Sequence, residues 1–77
     1  MSVQTLRPVY WAGTPPTRCQ VTDLPITDKF VDGRASREGW WAWWHPDAFA
    51  ISGAGLGKGC GQLYEKQADG RWLKTKG

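Results

Sequence analysis

The stretch 39–61, GWWAWWHPDAFAISGAGLGKGCG, joins a block of bulky aromatics to a block with almost no side chains. Four of the six tryptophans, Trp40, Trp41, Trp43 and Trp44, fall within five positions, and Gly53, Gly55, Gly57, Gly59 and Gly61 then occupy every second residue. The only histidine, His45, stands between the blocks, and Cys60 lies inside the second. Period two sorts the aromatic block as a strand, with Trp41, Trp43 and His45 on one face and Trp40, Ala42 and Trp44 on the other. Rings on both faces mean either that both faces are covered or that one set is left open to a partner. Pro46 ends the strand, and HPDAFAIS suits a single helical turn with Pro46 at its first position and Asp47 near its positive end. Alternating glycines leave one side of an extended chain bare, so that a backbone, ring or ligand can approach closely. The block is therefore expected to be ordered, packed beside the Trp strand and anchored by Leu56.

Working outward, Lys29 to Trp44 reads as a β-hairpin. Phe30 and Val31 form its first strand, and the polar connection runs through Asp32, Gly33, Arg34, Ser36, Arg37 and Glu38. On the other side, GQLYEKQADGRWLKTKG pairs Leu63–Lys66 with Arg71–Thr75 across Asp69-Gly70, the clearest hairpin signal in the chain. Towards the start, Val3 to Trp11 alternates weakly and contains Pro8, which marks residues 1–15 as an extended arm or edge strand. Gly13, Pro15 and Pro16 then lead stiffly to Cys19, and CQVTDLPITD reads as a tight knuckle. The expected fold is a single small domain over residues 1–77, mostly β, or α+β with one short helix. It has a Trp-rich core and a flexible basic tail at 74–77 containing Lys74 and Lys76.

A chain of 77 residues is near the size at which one core leaves little margin. Aliphatic residues are sparse, so tryptophans, each burying on the order of 200 Å², must supply much of that core. Ten Lys or Arg against seven Asp or Glu give a net charge of +3, compatible with nucleic acid although the cations are scattered in sequence. The opening MSVQTLRPVYW has no apolar signal-type core, and no window approaches the ~20 apolar residues of a membrane span. A cytoplasmic, non-membrane protein is expected. Two cysteines suit a reducing compartment better than a disulfide scaffold. A Cys19–Cys60 bond stays open as an alternative that would contribute about 3 to 4 kcal/mol.

The chemistry-bearing motifs are mostly negative. A phosphate loop of the form GxxxxGK[ST] fails because Ser52 lies five before Gly57 and Gly59 follows Lys58. A dinucleotide fingerprint fails because only 16 residues follow Gly61, too few for the βαβ unit of about 30 residues that it requires. His45 near Asp47 is a local hydrogen-bonding pair, and no serine or cysteine is tied to it by spacing, so no catalytic residue is expected. For zinc, Cys19 and His45 supply ligands from separate turns, with Asp23, Asp47 or Cys60 to complete a set. There is no C-x-x-C; the residues three after Cys19 and His45 are Thr22 and Ala48.

The ordered runs GTPPTRC, PITDKFVDG, GWWAWW, GAGLGKGCGQLY and DGRWLK resemble a family of short phage and prophage proteins of uncharacterised function, over about residues 10–75. In that family a C-x-x-C knuckle precedes the PI-x-D-x-F-x-D-G segment, a second Cys pair follows a G-x-W-A segment, and a glycine-rich block comes next. The resemblance implies a zinc-ribbon-like β fold in a bacterial host. Cys19 matches the first ligand position, Thr22 replaces the second, His45 falls at the third and Ala48 replaces the fourth. A metal-free fold without a cofactor is therefore expected, with Trp40, Trp43 and Trp44 filling volume that a metal would organise. The family pattern also makes Trp41 the core ring.

The function expected from these readings is that of a small, non-catalytic, phage-type accessory protein that binds nucleic acid. Exposed Trp40, Trp43 and Trp44 would stack on bases, with Arg18, Arg34, Arg37, Lys58 and Arg71 near phosphates. The alternative is a protein–protein interaction module, a modulator of a host protein or a virion component, using the same aromatics as anchors.

Overall fold

In the computed structural model, which describes residues 8–77, two hairpins share one antiparallel sheet. The elements are β1 (Lys29–Arg34), β2 (Trp41–Trp44), α1 (Pro46–Ser52), β3 (Gly61–Lys66) and β4 (Trp72–Lys76), and the four strands lie in the order β2-β1-β3-β4. The fold is thus mostly β with one short helix, as the periodicity and turn signals indicated. Both hairpins form where expected. The first keeps its strand longer than the polar residues suggested: Asp32, Gly33 and Arg34 belong to β1, paired with Trp43, Ala42 and Trp41. The polarity of Asp32 and Arg34 reflects a partly open sheet face rather than a turn. Lys74 and Lys76 likewise lie within β4 rather than in a tail, because Tyr64 and Leu63 pair with them.

The two faces of the sheet are covered by different parts of the chain. One face carries Val31, Ala35, Ala42 and Trp44, and α1 closes it with Ala48 and Phe49 while Cys19 packs at the side. The other carries Phe30, Tyr64 and Trp72, over which Trp11 and Ile26 pack with Trp43. Here Trp11 meets Phe30, Trp43 and Tyr64 edge-on at 5.2, 5.9 and 5.3 Å between ring centroids. Edge-to-face contact lets a large ring settle on several others without repulsion between their electron-rich faces.

Helix α1 starts where Pro46 can do no harm, at the first position, where an N–H would lack a partner in any case. His45 caps it, its Nδ1 accepting from the Asp47 N–H at 3.1 Å. The helix places Phe49 against the sheet on a seat made of glycine. A Cβ on Gly33, Gly53 or Gly61 would overlap the Phe49 ring. The glycine block therefore runs beside the end of β1 rather than beside the Trp strand, with Ala54 N–H donating to Arg34 C=O and Arg34 N–H to Cys60 C=O, each at 2.8 Å. Leu56, expected as its anchor, is 44% exposed, because the chain turns outward there through positive φ at Gly55 and Gly57.

Of the N-terminal arm, residues 1–7 lie outside the described residues. Tyr10 bridges Leu73 on the free side of β4, and Lys74 N–H donates to Val9 C=O at 2.7 Å, so the described part of the arm acts as a short edge strand. The knuckle is closed by Cys19 N–H to Leu24 C=O and Asp23 N–H to Cys19 C=O, both at 2.9 Å. Asp23 takes φ 62°, a left-handed conformation that Asp tolerates better than most residues. No helix of the described residues is long and apolar enough to cross a membrane.

Candidate functional site

Strand β2 is an edge of the sheet, and its hydrogen-bonding parity decides what that edge offers. Ala35 N–H donates to Trp40 C=O at 2.9 Å, so in an antiparallel ladder the even residues of β2 bond to β1 and Trp41, Trp43 and His45 point their backbone groups outward. The knuckle covers most of this edge. The His45 N–H reaches Cys19 Sγ, the Trp43 N–H donates to Gln20 Oε1 at 2.7 Å, and the Trp43 C=O accepts from Gln20 N–H at 2.9 Å. Coverage stops one pair short. Among the described residues, the N–H and C=O of Trp41 have no partner.

Two half-exposed indoles flank this gap, Trp40 at 46% and Trp41 at 49%. They leave the chain on opposite faces. Trp40 lies flat on Trp44 at 5.7 Å with an interplanar angle of 9°, which fixes its orientation and leaves its outer face free. Trp41 stands opposite Arg34, on the face that Trp11 covers only at its far end. Trp41 is thus a surface ring and not the core ring expected, because the inward positions of β2 are Ala42 and Trp44. The Trp44 indole N–H donates to Gly33 C=O at 3.0 Å. At 1% exposure Trp44 has no face to offer a partner, which removes it from the binding set. Trp43 is half-buried and, with Arg18, Gln20 and the Pro15-Pro16 pair, lines a shallow cleft of about 390 Å³.

The cations are less scattered in space than in sequence. Arg34 ends β1, Arg37 lies in the β1–β2 turn, Lys58 lies in the glycine block whose Gly59 C=O accepts from Arg34 Nε at 3.3 Å, and Lys76 pairs with Leu63 near the start of β3. All four sit at the same end of the sheet as Trp40 and Trp41. Arg71 is at the opposite end, bound to Asp69 at 2.8 Å and stacked over the Tyr10 ring at 4.0 Å. Arg18 faces Asp23 at 3.8 Å. Of the expected binding residues, then, the fold gathers Trp40, Arg34, Arg37 and Lys58, places Trp43 and Arg18 in the adjoining cleft, and separates Trp44 and Arg71 from them.

Asp32 is the unexpected member of this surface. It sits in a row with Trp43 on β2 and Gln62 on β3, one step in from Trp41 and Arg34. Its carboxylate makes no hydrogen bond and no ion pair among the described residues, since Arg34 is turned away towards Gly59 C=O and Cys60 Sγ. Partial burial pushes the Asp32 carboxyl above its ordinary value, and burial together with the Asp32 charge pushes the Tyr64 phenol up. Trp41, Asp32, Gln62 and Lys76 were all missed in the sequence. The length of the β1–β2 turn was the signal that would have found the first two, since it sets which residues stand opposite Trp41 and Trp43.

The four ligand-like positions also converge. Cys19 and Ala48 pack in the same cluster, and Thr22 and His45 reach the Cys19 sulfur. Burial raises the Cys19 thiol, but hydrogen bonds from the Thr22 hydroxyl and from the N–H groups of His45, Thr22 and Val21 outweigh it and hold the thiol below its ordinary value. The residues do not suit zinc: one soft ligand is present, His45 Nδ1 is engaged by the Asp47 N–H, and Thr22 and Ala48 offer a weak hydroxyl and a methyl. No group of three or more His, Cys, Asp or Glu converges among the described residues, and Cys19 and Cys60 are free thiols. No protein-family model, curated protein or solved structure matches this chain.

Proposed function

We propose that this protein is a non-catalytic, phage-type accessory module that binds single-stranded nucleic acid at the β1–β2 turn end of its sheet. The observation that carries the reading is that two half-exposed indoles, one on each face at the β2 edge, share this end of the sheet with Arg34, Arg37, Lys58 and, on β4, Lys76, against Glu38 in the turn and Asp32 one row in. Exposed indoles stack on bases of any sequence, at about 1 to 3 kcal/mol per base, and the cations neutralise the backbone that links them. Single strands are favoured over duplex because stacking needs unpaired base faces.

The test is a fluorescence titration with a thymine oligonucleotide at several salt concentrations. Neutralising three or four phosphates makes log K fall with log salt at a slope of about −2 to −3 for a single strand. Trp41→Ala should weaken binding at every salt concentration, and Lys58→Ala should reduce the slope by about 0.7. A slope near zero, or no quenching, sinks the proposal.

A second reading, a protein interaction module, draws on a different surface. Val31, Pro46, Phe49, Leu56 and Leu63 line an apolar groove of about 290 Å³ beside α1, and Ile51 on the helix is 85% exposed. Capture of a host protein that survives nuclease and is lost in Leu56→Glu would favour it.

A further inference from the structure

We infer that the open sheet face beside Trp41 reads guanine, with the Asp32 carboxylate accepting from its N1–H and N2–H and the Gln62 amide donating to its O6. The inference rests on the nucleic-acid reading above and adds a base preference to it.

The starting point is that Asp32 is misplaced for a site that only needs to attract phosphate. A negative charge one row from Arg34 and Trp41 opposes the backbone of any nucleic acid, and partial burial without a partner is itself unfavourable. No neighbour relieves it: the nearest cation on the same strand face, Arg34, spends its guanidinium on Gly59 C=O at 3.3 Å and Cys60 Sγ at 3.7 Å. A carboxylate kept in this position is suited to a ligand that brings its own donors.

Parity and register supply the rest. Arg34 N–H donates to Cys60 C=O, so the even residues of β1 bond to β3 and Asp32 and Gln62 form a bonded pair, with Cα atoms about 5.5 Å apart and side chains on one face. Gln62 makes no side-chain hydrogen bond among the described residues, so its amide is also free. Together the pair presents two acceptors followed by a donor. Of the common bases, guanine alone has two adjacent donors followed by an acceptor on its Watson–Crick edge. Trp41, diagonal to Asp32 on the same face, supplies a ring for the base to lie against. Arg34, Arg37, Lys58 and Lys76 border the same end of the sheet, so the charge around this reading pair complements a phosphate backbone.

The experiment uses the full chain and thymine oligonucleotides carrying one central guanine, adenine, cytosine or inosine. Guanine should bind tighter than adenine or cytosine by about five-fold or more, as a bidentate contact gives. Inosine, which lacks the N2 amino group, should lose most of that gain in the unmodified protein, so this arm does not depend on a variant folding. Asp32→Asn should abolish the guanine preference, read within the variant as the ratio of its affinity for the guanine probe to those for the adenine and cytosine probes, because an amide offers one acceptor and a donor where two acceptors are needed. Equal affinity for all four probes, or a preference that survives Asp32→Asn, overturns the base reading and leaves the binding site standing. Failure of every probe to bind removes the nucleic-acid reading and this inference with it.

Discussion

Trp41 and Trp44 are three residues apart in one strand and have opposite surroundings. Trp44 is sealed between α1 and the small residues of β1, with Phe49 edge-on at 5.4 Å and its N–H satisfied, whereas Trp41 is half in solvent with one polar residue opposite. Removing a buried ring typically costs about 3 to 5 kcal/mol, and removing a surface one about 1 kcal/mol or less. Urea denaturation should therefore find Trp44→Ala severely destabilised and Trp41→Ala close to the parent; equal losses would mean that the faces of β2 are reversed. Cys19 gives a second residue-scale expectation. Its thiol is held below the ordinary value in the folded chain, so the thiolate is bound more tightly there than in the unfolded one. That contribution is complete above the ordinary thiol value and lost as pH falls through the folded value. The stability advantage of the parent over Cys19→Ala should accordingly grow as pH rises towards the ordinary thiol value of about 8.5 and level off above it, read as the difference in urea midpoints; a difference that shrinks as pH rises would contradict it.

At the scale of elements, the alternation of glycines has two causes that happen to share a period. Gly53 and Gly61, with Gly33 of β1, are bare because the Phe49 ring rests on them, while Gly55, Gly57 and Gly59 have open space around them and positive φ of 94°, 147° and 79°. The two classes should respond differently to a methyl group. Gly53→Ala meets a ring and should lose about 1 to 3 kcal/mol by overpacking, whereas Gly59→Ala meets only backbone strain of about 1 to 2 kcal/mol. A double-mutant cycle separates them. Phe49→Leu should relieve part of the Gly53→Ala loss and none of the Gly59→Ala loss, and identical coupling at both sites would contradict the glycine seat. The same elements show what was legible in the sequence. Turn chemistry and period two gave both hairpins, and Pro46 with Asp47 gave the helix start, because these are local signals. The register of the β1–β2 pair, the partner of the glycine block and the exposure of Trp41 were not legible. They depend on which ring the glycines accommodate and on how far the knuckle covers the edge, both of which are contacts between distant segments.

For the whole molecule, the distribution of charge carries the functional argument further than its total. A net charge of +3 is weak, but Arg18, Lys29 and Arg71 have carboxylate partners at Asp23, Glu65 and Asp69, whereas six cations have none among the described residues: Lys66 and Lys74 lie further along β3 and β4, and Arg34, Arg37, Lys58 and Lys76 stand at one end. Exposed ion pairs contribute little to stability, yet they cancel far-field charge where they occur. Four of those six thus share the end that also bears the exposed indoles and the open edge of β2. This juxtaposition was invisible in the sequence, where the same cations are spread over more than forty positions from Arg34 to Lys76. The most direct measurement is an amide and indole NMR map recorded as a single-stranded thymine oligonucleotide is added. Binding at this end should shift the signals of residues 34–41 and 57–60, with the Trp41 indole among the largest, and leave the Asp69–Arg71 turn unmoved. No shifts, or shifts confined to α1 and the groove at Leu56 and Leu63, would contradict a nucleic-acid site on this sheet.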